Sequence, residues 1–226
     1  MDIYNSVVKK PWGSEYCIYR GENVSIWNLT IEPGKKTSLH CHPNKKTGLI
    51  LLAGDAQINL IERTFNISGP AKINLQQTIF HQTCNIGDKP LRVIEVETPD
   101  NKLDLVRIAD DYGRKGDEFE GESEWDPCSS DLFRIGAMLT INEFASFKFT
   151  RTKLRADGAV EYLKYHPNCY IILLSDYAFV DKHKNQLCRL GDVLTSDVFE
   201  TLNKNFELID NIDVILIWKE QAKSTL

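Results

Sequence analysis

The chain has 226 residues, 42% hydrophobic and 26% charged, with a formal net charge of -5 at pH 7. That length suits one large domain or two of about 100 residues, and the apolar content excludes a disordered chain. The acidic balance gives no general attraction for nucleic acid or an anionic membrane, and it favours a small-molecule or protein partner. The opening MDIYNSVVKKPWG lacks the apolar core of a signal peptide, and no stretch approaches the roughly 18 apolar residues of a membrane span. A cytoplasmic protein is therefore expected. Its six cysteines are scattered, with no CxxC pair, so reduced thiols are expected rather than a zinc ribbon.

In chain order, residues 24–31 alternate and are rich in β-branched and aromatic side chains. Residues 48–52 form a short apolar run stopped by Gly54-Asp55, and 56–61 and 91–97 alternate again. Turn pairs recur at Pro33-Gly34, Gly54-Asp55, Gly69-Pro70 and Gly87-Asp88. Many short strands with regular turns predict a sandwich or barrel. Residues 110–130 are charged, glycine-bearing and poor in aliphatics, as a connector would be. Strands resume at 133–141, 147–154, 169–174, 177–180 and 214–218, and 186–194 has the form strand, Gly191-Asp192 turn, strand. The expected fold is all-β: two barrels, over 1–112 and 131–226 with a linker at 113–130, the second a diverged repeat of the first.

Residues 33–42 read Pro-Gly-Lys-Lys-Thr-Ser-Leu-His-Cys-His. In a strand, successive side chains point to opposite faces. His40 and His42 then share a face with Ser38, and two imidazoles so placed can reach one metal ion. His81 lies in another alternating stretch, Ile79-Phe-His-Gln-Thr83, which can fold back beside the first. On spacing alone, a metal site and three unrelated histidines remain open alternatives. In the second half, His166 precedes a proline and His183 sits in a charged, turn-like segment; that half is expected to serve packing, closing the first barrel's mouth or dimerising.

The wider spacing resembles a known family. Gly34, His40-Cys-His42, Thr47 and Gly54 match the first cupin motif at each interval, and His81 with Asn85 matches the end of the second. The resemblance implies a bicupin of two jelly-roll barrels, the second degenerate. It also implies one divalent metal ion (zinc, iron, manganese or nickel) held by His40, His42 and His81. Thr47 stands where the family's glutamate ligand falls. A closer resemblance, to type II phosphomannose isomerase domains, rests on Val8-Lys-Lys-Pro-Trp-Gly-Ser-Glu-Tyr16, Thr37-Ser-Leu39, Ile94-Glu-Val-Glu97, Leu103-Asp-Leu-Val-Arg107 and Asp111-Tyr-Gly-Arg114. It departs at His40, often Gln there; at Thr47; at Lys45, usually Arg; and at Glu97, usually Gln.

The resemblance implies an isomerase- or epimerase-like enzyme of surface-polysaccharide metabolism, acting on a sugar phosphate or nucleotide sugar, and a homodimer is expected. Isomerisation moves a proton between adjacent sugar carbons, and Glu97 and Glu95, on one strand face, are the candidate acid or base. Arg107 and Lys45 are candidates for the phosphate, with Thr47 beside the substrate. Trp12 could stack on a sugar, although a structural role in the N-terminal strand is favoured. Two other readings stay open: a three-histidine iron-dependent dioxygenase and a non-catalytic sugar-binding cupin.

Overall fold

The computed structural model describes residues 2–116, 119–209 and 211–220. The chain divides into two compact units, Met1–Leu132 and Phe133–Leu226. Among the described residues, no helix is long and apolar enough to cross a membrane.

Unit 1 is built from β1 (Ser6–Lys10), β2 (Gly13–Arg20), β3 (Ser25–Ile31), β4 (Leu39–Cys41), β5 (Lys46–Ala53), β6 (Asp55–Leu60), β7 (Thr64–Ser68), β8 (Ala71–Leu75), β9 (His81–Asn85), β10 (Leu91–Thr98), β11 (Val106–Ala109) and β12 (Trp125–Pro127). They form two antiparallel sheets, in the orders β12-β1-β2-β3-β10-β5-β8 and β11-β4-β9-β6-β7. The alternating segments of the sequence become β3, β5, β6 and β10. The motif segment 33–42 is a strand only over Leu39–Cys41, because Pro33-Gly34 turns the chain and Gly34 adopts a φ of +70°.

Period-two alternation builds a polarity gradient along the inward face. Trp27, Leu29 and Ile31 of β3, Leu49 and Leu51 of β5, and Leu91 and Val93 of β10 pack in one apolar core. Continuing the same face gives Glu95 and Glu97 on β10 and Thr47 on β5. One end of the interior is thus oily and the other carries charge. The β1–β2 turn is set by Gly13, whose φ is +146° and whose missing Cβ would lie 2.0 Å from the Thr30 carbonyl oxygen; only glycine fits there.

The segment expected as a linker, 113–130, does not connect two barrels as a free strap. Trp125–Pro127 pairs with β1 (Ser6 opposite Pro127, Val8 opposite Trp125), and Cys128 N–H donates to the Asn5 carbonyl at 3.0 Å. Its low aliphatic content reads as a connector. In the fold, backbone pairing and ion pairs from Glu120 hold it to unit 1 instead.

Unit 2 contains β13 (Ile141–Phe144), β14 (Phe147–Leu154), α1 (Ala159–Lys164), β15 (Tyr170–Leu173), β16 (Phe179–Val180), β17 (Gln186–Leu187), β18 (Val193–Thr195), α2 (Ser196–Asn205), β19 (Glu207–Leu208) and β20 (Ile212–Trp218). Its sheets run β13-β14-β20-β15-β18 and β17-β16-β19. This is the order β2-β3-β10-β5-β8 and β7-β6-β9 of unit 1, strand for strand, so unit 2 repeats the jelly-roll in reduced form. The strand expected over 133–141 is displaced. Leu139 has a φ of +66° and breaks the extended run, the strand begins at Ile141, and Phe133 instead stacks on Phe144 at 4.9 Å. Two helices went unread. α2 presents Val198, Phe199 and Leu202 on one face, the spacing of an amphipathic turn, and buries Phe199 completely in the unit's core.

Candidate metal centre and its cavity

Strand pairing assembles the three histidines. In the β4–β9 ladder His40 lies directly opposite His81, and His42 follows β4 by one residue. Ring centroids are 4.4 Å apart for His40 and His81, 5.0 Å for His40 and His42, and 5.5 Å for His42 and His81. One ring nitrogen from each lies within 4.8 Å of the others. Each Nδ1 faces a backbone carbonyl oxygen: Ser38 at 2.8 Å for His40, Asp104 at 2.6 Å for His42, and Ile79 at 3.0 Å for His81. An Nδ1–H donated to a carbonyl leaves Nε2 as a lone pair, the arrangement of metal-ligating imidazoles. The His42 Nε2 is buried with no hydrogen-bond partner. Burial, above all, lowers the basicity of all three, His42 to about 3 and His81 to about 4. The rings are therefore neutral at pH 7, as ligands must be. This donor set, with an orphaned buried nitrogen at its centre, fits a divalent transition metal.

Beside the histidines lies a cavity of ≈ 60 Å³, bounded by charge. Lys10, Lys45, Lys102, Arg107 and Arg114 face Glu15, Glu95, Glu97 and Glu120 across it. Lys45 Nζ lies 2.7 Å from Glu97. Lys102 Nζ lies 3.2 Å from Glu97, 3.4 Å from Glu95 and 3.4 Å from Glu15. The Glu120 carboxylate is held by Lys10, Arg107 and Arg114, the Arg107 contact being 3.2 Å. Such pairing offsets the cost of burying so many charges.

The structure separates the two expected carboxylates. Burial raises the Glu95 pKa, against the pull of Lys102. Burial also acts on Glu97, but Lys102 and Lys45 together outweigh it and hold Glu97 below the ordinary range. Glu95 thus has the environment of a group that exchanges a proton, and Glu97 that of a fixed anion.

Of the other expected residues, Arg107 lines the cavity and pairs across the β11–β4 ladder with His40. Lys45 is not a surface lysine: it is 1% exposed and committed to Glu97. Thr47 is buried, its Oγ1 without a hydrogen-bond partner. Trp12 lines the cavity while packing in the apolar core. Lys10, Glu15, Lys102, Arg114 and Glu120 escaped the sequence reading as site residues. Lys10, Glu15 and Arg114 stood inside the quoted motifs; nothing in the pattern around Lys102 or Glu120 marks them.

Comparison with known proteins finds similarity over about half of the chain. The family profile described as mannose-6-phosphate isomerase C-terminal matches residues 2–110. The alginate biosynthesis protein AlgA of Pseudomonas aeruginosa is 29% identical over 109 residues, 47% of this chain and 23% of that protein. The xanthan biosynthesis protein XanB of Xanthomonas campestris is 28% identical over the same shares. A putative mannose-1-phosphate guanylyltransferase of Vibrio cholerae is 29% identical over 45% of this chain and 22% of its own length. The chain thus spans under a quarter of each of these relatives. Among solved structures, Bacillus subtilis oxalate decarboxylase aligns over 45% of this chain and 29% of its own, with 23% identity and a TM-score of 0.41. The capsular polysaccharide assembling protein CapF of Staphylococcus aureus aligns over 45% and 33%, with 17% identity and a TM-score of 0.41.

Proposed function

We propose that unit 1, whose residues 2–110 match the mannose-6-phosphate isomerase C-terminal family, is a metal-dependent isomerase of a phosphorylated or nucleotide-linked sugar. The observation that carries this reading is the placement of Glu95 and a cluster of buried cations beside three imidazoles whose Nδ1 atoms are all tied to carbonyls. A divalent ion held by His40, His42 and His81 would supply Lewis acidity toward a sugar carbonyl or hydroxyl oxygen.

The chain's own residues supply the rest. Glu95, its pKa raised by burial, takes the proton from one sugar carbon and returns it to the neighbouring carbon. Of the two candidate carboxylates, this assigns the proton transfer to Glu95 rather than Glu97. Lys10, Arg107 and Arg114 receive the phosphate, where Glu120 now makes its ion pairs. Arg107 offers a planar fork for phosphate oxygens. Lys45 instead keeps Glu97 in place.

The test is calorimetric titration of a panel of hexose phosphates and matching neutral sugars, followed by an NMR assay of isomerisation. Arg107→Ala is expected to weaken phosphosugar binding roughly 10- to 150-fold, the loss of a charge-assisted contact of about 1.5–3 kcal/mol, with little effect on the neutral sugar. Equal weakening of both ligands would assign Arg107 to the frame. Binding without turnover would leave a sugar-binding cupin, and oxygen consumption by iron-loaded protein would move the reading to a dioxygenase.

A further inference from the structure

An imidazole whose Nδ1–H is tied to a carbonyl offers an uncharged Nε2, so an ion held by His40, His42 and His81 keeps its full charge in a largely buried pocket. Such a site is stabilised by a carboxylate. The strand position after the histidine pair that would supply one carries Thr47, and its hydroxyl has no hydrogen-bond partner. In the β10–β5 ladder, however, the residue directly opposite Thr47 is Glu97. Directly opposed side chains project from the same face of an antiparallel pair, with Cβ atoms about 4.5–5.5 Å apart. Glu97 is therefore one strand away from Thr47 and points into the same interior.

Geometry ties Glu97 to one of the histidines, His42, directly. Ligand atoms of His42, Glu95 and Glu97 all lie within 4.8 Å of one another, and His42 belongs equally to the three-histidine group. The two Glu97 oxygens are used unequally. Oε1 accepts from Lys45 at 2.7 Å and from Lys102 at 3.2 Å, while the contact to Oε2 is a long one of 3.4 Å from the Ser25 hydroxyl. Oε2 keeps acceptor capacity, and the two lysines fix the carboxylate through the other oxygen.

We infer that Glu97 supplies the anionic oxygen of the metal centre, taking across the strand pair the place that Thr47 cannot fill. The inference rests on the three-histidine metal reading and adds a fourth residue to it. It also gives a second reason why the proton-transfer role falls to Glu95: an oxygen committed to the ion is not the one that carries the proton.

The experiment titrates purified metal-free protein with Co(II), following visible absorption, and with Zn(II) in competition with a chromophoric chelator. Glu97→Gln preserves shape and is expected to weaken both metals by more than about 10-fold, the least that losing even a carboxylate behind a ligand costs, and to change the Co(II) band intensities. Glu97→Asp, which keeps the charge on a shorter stem, is expected to fall between. Thr47→Glu added to Glu97→Gln is expected to return affinity to within a few-fold of the unmodified chain, because the carboxylate re-enters from the facing strand. Circular dichroism checks that each variant is folded. Unchanged affinity and spectrum in Glu97→Gln, or a folded double variant that recovers nothing, overturns the inference. If the unmodified chain binds neither metal, the three-histidine reading itself falls; binding that is lost in His42→Ala but indifferent to Glu97 leaves that reading standing and removes only Glu97.

Discussion

Units 1 and 2 use one strand order for two outcomes. In both, an antiparallel sheet of the order β2-β3-β10-β5-β8 in unit 1 and β13-β14-β20-β15-β18 in unit 2 faces a smaller one. The difference lies between the third strand and its successor. There unit 1 places β4, which sets His40 opposite His81. Unit 2 places α1 at that point in the chain, with Leu163 buried in the core. The strand matching β9 shrinks to Glu207–Leu208, and Glu207 reaches out to Lys184. Interior polarity differs as well. Along the inward face of β10, Leu91 and Val93 give way to Glu95 and Glu97. In β20, Val214, Leu216 and Trp218 stay in the apolar core. A jelly-roll is thus a frame that tolerates either filling; two short strands and two carboxylates separate the polar, histidine-bearing interior of unit 1 from the apolar interior of unit 2.

Substitutions can break this comparison at several depths. The largest effect is expected for His42→Ala, which should remove bound metal, lowering affinity by more than about 100-fold, beyond the usual loss from second-sphere changes. His166→Ala in unit 2, where the ring packs on Trp218 at 4.5 Å, should leave metal content unchanged by elemental analysis. Next in size, Lys102→Ala leaves Glu15, Glu95 and Glu97 short of a shared cation. It should destabilise unit 1 by about 3–5 kcal/mol in denaturant unfolding. The exposed Lys184–Glu207 pair of unit 2 offers the contrast, since Lys184→Ala should not measurably change stability.

The smallest effect concerns pH. Burial raises the Glu120 pKa, but Lys10 and Arg107 outweigh it and leave the carboxyl below its ordinary range. A depressed folded-state pKa contributes stability above the unfolded-state value, lost as pH falls through the folded one. Glu120→Gln should therefore flatten the acid limb of the unit 1 unfolding curve below about pH 4.3, with little change in unit 2.

Much of unit 1 was legible because its strands alternate and its turns carry glycine or proline, as at Gly54-Asp55. The histidine spacing survived because it is local: two residues on one strand and a third on its ladder partner. What stayed hidden was non-local or uncharacteristic. Lys102 sits in a turn with nothing to distinguish it from a surface lysine, and it is buried only because three carboxylates from β2 and β10 converge on it. Glu120 lies in a stretch whose composition reads as solvent-exposed, yet Lys10 of β1 and Arg107 of β11, with Arg114 of the same stretch, capture it. The pairing of Thr47 with Glu97 depends on strand register, which a single sequence does not print. In unit 2, α2 is the opposite case: its apolar positions 198, 199 and 202 carry helical spacing, but the helix follows β18 directly, with no glycine or proline to mark its start.

The short strand β12 has a consequence for how this domain can be cut. The family resemblance ends at residue 110, but the sheet does not, since Trp125–Pro127 lies along β1 as its outermost member. A chain ending at 110 would retain all three histidines while baring a row of unpaired amide and carbonyl groups on β1. Open rows of that kind template the addition of another chain. The boundary drawn by the family match and the boundary of the sheet therefore differ by about twenty residues, and the stretch that looks like a tether exchanges the longer edge of β1 for a three-residue edge ending in Pro127, a residue with no amide hydrogen to offer.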